Sequence, residues 1–175
     1  MKKILVIVGG LIVLIGTFLP FADITLGWWQ YTQNLTTIIG DSVTKYYLSP
    51  FGIISNDANS DTTKIEGYVL LIASIGTILG AVIAVIGGFT NKNVVSIIGT
   101  MIMVAGLAYF CYSLGNIPEI HEMLYDESVS AIFGKNEDIF ILIGTADLQW
   151  RLGNGFFIVT AVSLLTLVAS ILKEK

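Results

Sequence analysis

The chain is poor in the residues on which most enzyme chemistry depends. Cysteine occurs once in 175 residues, at Cys111, so no intramolecular disulfide can form and dithiol redox chemistry is excluded. Histidine also occurs once, at His121, and a lone imidazole beside carboxylates neither builds a His-based metal centre nor implies a pH sensor. The sequence has no Ser-His-Asp set at a recognisable spacing and no Gly-rich loop between strand and helix to cradle a phosphate. Prolines are limited to Pro20, Pro50 and Pro118, and none splits an apolar run into the half-helices of a transporter site. Neither an enzyme nor a resident cofactor or metal is expected.

The larger absence is charge. Four stretches, 4–20, 68–89, 94–114 and 153–172, contain no Asp, Glu, Lys, Arg or His. Each is close to the roughly 20 residues that cross about 30 Å of hydrocarbon. Backbone amides in lipid must be satisfied within the segment, so the stretches read as membrane-spanning helices. The composition agrees, with 54% hydrophobic and 13% charged residues. Ionisable groups at membrane depth mark proton relays and ion paths; their absence argues against a pump or transporter within one subunit. The chain is thus expected to be one membrane domain, 1–175, with long loops at 21–67 and 115–152.

The few charges are unevenly placed. Lys2, Lys3, Lys92, Lys173 and Lys175 crowd the ends and the short turn between the second and third spans, whereas the long loops hold only Lys45, Lys64, Lys135 and Arg151. The positive-inside rule then places both termini in the cytoplasm of a multi-pass cell-membrane protein and both long loops outside. Those loops also carry every acid except Glu174, an anionic surface that would repel nucleic acid. The Lys-Lys start resembles a secretory signal, but the stretch leaves through Phe18-Leu19-Pro20-Phe21, without the small residues of a cleavage site. It is read as an uncleaved first span.

What the spans do contain is small residues. Gly76, Gly80, Ala84 and Gly88 recur every fourth residue in the second span, a stripe that lets a neighbouring helix approach closely. Gly9 and Gly16, Gly99 and Gly106, and Ser163, Thr166 and Ser170 offer matching faces on the other three spans. The stripe serves either the bundle or a partner helix, so the lipid bilayer and a second copy or another membrane protein are the expected partners.

The first long loop reads as short antiparallel strands over 24–32, 34–39 and 42–55, with turns at Gln33-Asn34, Gly40-Asp41 and Ser49-Pro50. In the second, 117–133 reads as an amphipathic helix or an extension of the third span, capped at Gly134. Residues 139–143 then form a short strand closed by Gly144, which needs the first loop's sheet as partner. Asp57-Ala58-Asn59-Ser60-Asp61 begins like a calcium loop, but Thr62 and Tyr68 stand where Gly and Glu belong, so a polar turn is expected. Asn34-Leu35-Thr36 is a formal glycosylation sequon. Trp28, Trp29 and Trp150 fall at the membrane boundary as part of an aromatic belt. On a strand Trp28 and Trp29 point to opposite faces, one toward the bundle and the other toward lipid or a partner. Arg151 is expected to reach a lipid phosphate or pair with a loop carboxylate.

Cytoplasmic ends, a long β-rich first loop, a second loop adding a strand, and the element Gly27-Trp28-Trp29 together resemble the claudin and peripheral-myelin-protein superfamily. The Leu19-Pro20-Phe21 step is similar to the first-span exit of small prokaryotic four-span proteins. The resemblance implies a four-transmembrane-helix bundle with a small extracytoplasmic antiparallel β-sheet. It also implies an interaction role, such as adhesion, barrier formation, assembly or an auxiliary subunit. Gly27, Trp28, Trp29, Trp150 and Arg151 are the expected interaction or interface anchors. The chain lacks that family's two loop cysteines. Two alternatives stay open: an oligomeric cation-permeable channel, and a lipid-modifying enzyme built around Arg151, Trp150, Glu119 and His121.

Overall fold

The computed structural model describes residues 2–58, 62–65, 68–124, 130–141 and 144–172. Asn59, Ser60 and Asp61 of the calcium-loop-like run, residues 125–129 of the expected 117–133 helix, Leu142 and Ile143 of the expected strand and the terminal residues 173–175 lie outside these. Four helices, α1 (Lys2–Ala22), α2 (Val69–Phe89), α3 (Asn93–Leu114) and α5 (Asn154–Ile171), are long and apolar enough to cross a membrane. Their bounds fall within a few residues of the uncharged stretches. A short helix, α4 (Pro118–Leu124), follows α3.

The bundle closes as α1 against α2 and α5, and α3 against α2 and α5. The α2–α3 seam is where the small residues go. A methyl added to Gly80 would strike the Met103 backbone and the Gly99 carbonyl, one on Gly99 would strike the Ala84 backbone, and one on Gly106 would lie 2.6 Å from the Thr77 nitrogen. Gly76 faces Gly106, while Gly88 turns to α1 and meets Ile7. The stripe is therefore taken up by intramolecular seams, mostly with α3. Thr77 Oγ1 bonds within its own helix to the Ala73 carbonyl at 3.0 Å, and Ser163 Oγ likewise to that of Val159 at 2.7 Å. Thr100 and Ser170, 3.3 Å apart, join α3 to α5. The outward faces stay apolar, with Ile15, Met101 and Leu165 each at least 60% exposed, a surface suited to lipid and costly in water.

Six strands form one antiparallel sheet in the order β4-β3-β2-β1-β6-β5. They are β1 (Trp29–Thr37), β2 (Gly40–Leu48), β3 (Ile53–Asn56), β4 (Thr62–Lys64), β5 (Gly134–Ile141) and β6 (Gly144–Leu152). The first loop's β1 lies beside the second loop's β6, in register from Trp29–Leu152 to Thr37–Gly144. A strand of 9 residues runs about 30 Å at roughly 3.4 Å per residue. One end of the β1–β6 pair is rooted in the bundle: the Gly153 amide donates to the Trp28 carbonyl at 2.8 Å, and added methyls on Gly153 and Gly155 would collide with the Gly27 and Leu26 carbonyls.

Several loop expectations are corrected. β1 runs straight through Gln33-Asn34, and the turn falls at Ile38-Ile39. The second loop adds two strands instead of one, because 144–152 alternates Ala146, Leu148, Trp150 and Leu152 inward with polar residues outward. Gly134 caps no helix; it opens β5 opposite Trp150, where a side chain would strike the indole. Pro118 starts α4 as its first residue, the helical position that loses no hydrogen bond to proline.

Candidate functional site

The strand register assigns every sheet residue to one of two faces. Trp29, Tyr31, Leu48, Ala146, Leu148 and Trp150 occupy one face, all buried, in one cluster with Ile117, Ile120 and Leu124 of the α3–α4 segment. The opposite face carries Gln30, Thr32, Asn34 and Thr36 of β1 and is open.

The anchors divide accordingly. Trp28 precedes β1 and is fully buried at the top of the bundle, edge-on to Phe110 at 5.1 Å and Phe156 at 5.8 Å. Trp29 is also buried, stacked 6.1 Å from Tyr31, and its Nε1 donates to the Ala131 carbonyl at 2.8 Å. The expectation that one of them meets lipid or a partner is thus corrected: each fills a separate part of the chain's own core, because Trp28 sits off the strand. Trp150 makes the parallel contact, its Nε1 donating to the Ser130 carbonyl at 2.7 Å. Gly27 is buried and closes the 3-10 turn of Ile24–Leu26 through its amide to Ile24, at 3.0 Å. A methyl there would lie 3.1 Å from the Leu48 carbonyl.

Arg151 is exposed on the open face. Among the described residues it has no ion pair, and the one salt bridge joins Lys135 to Glu137 at 2.8 Å. His121 and Glu119 ride on α4, whose Ile120 and Leu124 enter the cluster on the other side of the sheet. Arg151 is therefore not brought together with them. His121 Nε2 lies 3.1 Å from the Gly115 carbonyl. No group of three or more His, Cys, Asp or Glu side chains among the described residues could hold a metal ion.

Register also collects charges that sequence reasoning leaves scattered. Nearest the bundle, Tyr47, Gln30 and Arg151 form one cross-strand row, followed by Lys45, Thr32, Gln149 and Lys135. Farther out come Val43, Asn34 and Asp147, then Asp41, Thr36 and Thr145. Lys64, opposite Ile53, shares this face. All four bases of the long loops therefore lie on the open face, and its acids Asp41 and Asp147 lie toward the far end. Gln30, Thr32, Phe133, Lys135, Gln149 and Arg151 line a concavity of about 620 Å³ at the basic end. The period-two pattern of 144–152 is the signal that would have placed Gln149 and Arg151 beside Gln30 and Thr32. At the base of the sheet, burial and then the Asp57 and Asp23 carboxylates push the Tyr47 phenol above its ordinary value.

The far end of β1 is a two-residue loop. Thr37 Oγ1 donates to the Gly40 carbonyl at 2.8 Å and accepts from the Ile39 amide at 3.3 Å. Between them Ile38 and Ile39 are 93% and 92% exposed, with Val43 nearby at 59%. The chain matches no known family profile and no curated protein.

Proposed function

We propose that this is a non-catalytic, multi-pass protein of the cell membrane, with cytoplasmic termini, whose claudin-like sheet layer makes contacts with a second copy or another membrane protein. The observation that carries the reading is the Ile38-Ile39 tip. Two-residue hairpin loops favour Asn-Gly, Asp-Gly or Gly-Gly, which take positive φ at little cost. Here two stiff β-branched side chains stand in that position, almost fully in solvent, and among the described non-glycine residues only Asn91 has positive φ. Neither turn geometry nor intramolecular packing accounts for isoleucine at both places. Burying such a side chain against a partner contributes about 1.5–3 kcal/mol. The α2 stripe is occupied by α3 and α1, which leaves the sheet layer as the better-differentiated contact surface. The crowding of lysines at the termini and the 90–93 turn supports the orientation.

Replacing the tip by Ile38→Asn with Ile39→Asp, both ordinary turn residues at the negative φ found here, tests the contact without calling on a different turn type. The wild-type chain, extracted from its membrane in mild detergent, should run as a defined complex larger than one chain, and the variant as a single chain with an unchanged melting temperature. A single-chain mass for wild type, or an intact complex in the variant, would overturn the proposal.

A further inference from the structure

We infer that the concavity at the basic end of the open sheet face binds a polyol phosphate, presented as the head group of an anionic lipid in the leaflet around the sheet-bearing helix ends. Its volume, about 620 Å³, lies within the roughly 300–1,000 Å³ of ordinary small-molecule sites. Arg151 brings a planar guanidinium with no carboxylate paired to it among the described residues, the geometry that matches a phosphate through two parallel hydrogen bonds. Lys135 spends one N–H on Glu137 at 2.8 Å and keeps two for a second charge-assisted contact. Gln30, Gln149 and Thr32 line the same wall. Two amides and a hydroxyl both donate and accept, which suits a ligand rich in hydroxyls and would be wasted on an apolar one. Phe133, 68% exposed, stands at the rim in the manner of an interfacial aromatic.

Position selects the source of the phosphate. β6 ends at Leu152 and α5 begins at Asn154, so Arg151 lies within about 10 Å of chain from the first helical residue. The polar layer of a bilayer is about 5–7 Å deep on each side, and the Arg151 side chain can reach into it. Of the charges on the open face, Arg151, Lys135 and Lys45 lie nearer the helices than Asp147 and Asp41, while Asp23 and Asp57 lie at the base beside Tyr47. Glu137 and Asp147 near Lys135 keep the far edge of the concavity from holding a second phosphate.

This site is at the opposite end of β1 from Ile38-Ile39 and does not rest on the contact reading. The test uses the full chain in phosphatidylcholine nanodiscs with and without phosphatidylglycerol, reading the lipid retained per protein by native mass spectrometry. Phosphatidylglycerol should be retained about tenfold over phosphatidylcholine, which carries the same phosphate but sets a choline cation beside the bases and offers no hydroxyl to Gln30 and Gln149, a difference on the scale of one or two hydrogen bonds. Arg151→Gln should bring the two lipids near parity, and Lys135→Gln should lower the preference less, both with unchanged melting in phosphatidylcholine alone. Displacement of phosphatidylglycerol by added glycerol 1-phosphate would support the shared polyol-phosphate chemistry. Equal retention of the two lipids by wild type, or a preference that survives the double substitution, would overturn the site. Binding of glycerol 1-phosphate with no lipid preference would overturn the lipid source.

Discussion

The two ends of β1 are built on opposite terms. At the bundle end, Trp28 and Trp29 are 0% and 1% exposed, whereas at the loop end Ile38 and Ile39 are 93% and 92% exposed. At the root, every side chain answers to a neighbour, and even the backbone approach at Gly153 and Gly155 leaves no room for a methyl. At the tip, no neighbour among the described residues buries either isoleucine, and that is the feature on which the proposed contact rests. Substitutions should therefore cost stability at the root and association at the tip.

The largest effect is expected beneath the root. Gly80→Val would force α2 away from the Met103 and Gly99 backbone, which neither helix can yield, and should abolish recovery of folded protein in detergent. Trp29→Ala comes next, at about 3–5 kcal/mol, the range for emptying a buried aromatic site, measured by thermal or denaturant unfolding. Phenylalanine separates the two tryptophans. Trp29→Phe leaves the Ala131 carbonyl without its donor and should cost about 1–3 kcal/mol, whereas Trp28 Nε1 is buried with no hydrogen-bond partner among the described residues. Trp28→Phe should accordingly cost less, and the reverse order would refute this account of the root.

A smaller effect depends on pH. Because burial holds the Tyr47 phenol above its ordinary value of 10.0, the folded state keeps the proton longer than the unfolded chain. Below about pH 10 both states are protonated and this group adds no pH dependence; above it the unfolded chain ionises first and stability falls until the folded phenol also titrates. Melting temperatures followed above pH 10 should drop, and Tyr47→Phe should reduce the drop. The smallest effect belongs to the tip: Ile38→Asn with Ile39→Asp should leave the melting temperature within error. A clear loss would mean that the tip is held by the chain itself.

How legible this was in sequence varied with the physics. The spans were plain because lipid permits few alternatives, and an uncharged stretch of about 20 residues has little else to be. The sheet as a class was legible from β-branched and aromatic runs, but its edges were not. Gln33-Asn34 looks like a turn yet continues β1, since pairing on both sides with β2 and β6 outweighs two poor strand formers. β6 was hidden because its alternating pattern runs directly into α5. Missing it also hid the basic concavity, which exists only once β6 sets Arg151 and Gln149 beside Gln30 and Thr32. The pairing of Lys135 with Glu137 and the separate burial of the adjacent tryptophans depend on β5 and on the exit from the 3-10 turn, neither of which has a local signature.

The side-by-side placement of β1 and β6 also sets an order of events during synthesis. The first hairpin is made early, but β1 has only one neighbour until β6 (Gly144–Leu152) has been translated. In that interval β1 presents a bare edge that another strand could join, and closing the sheet must then bring together segments far apart in sequence, a slow step by the usual relation between loop closure and rate. Closing the β1–β6 seam is therefore expected to be a late step in the folding of this protein.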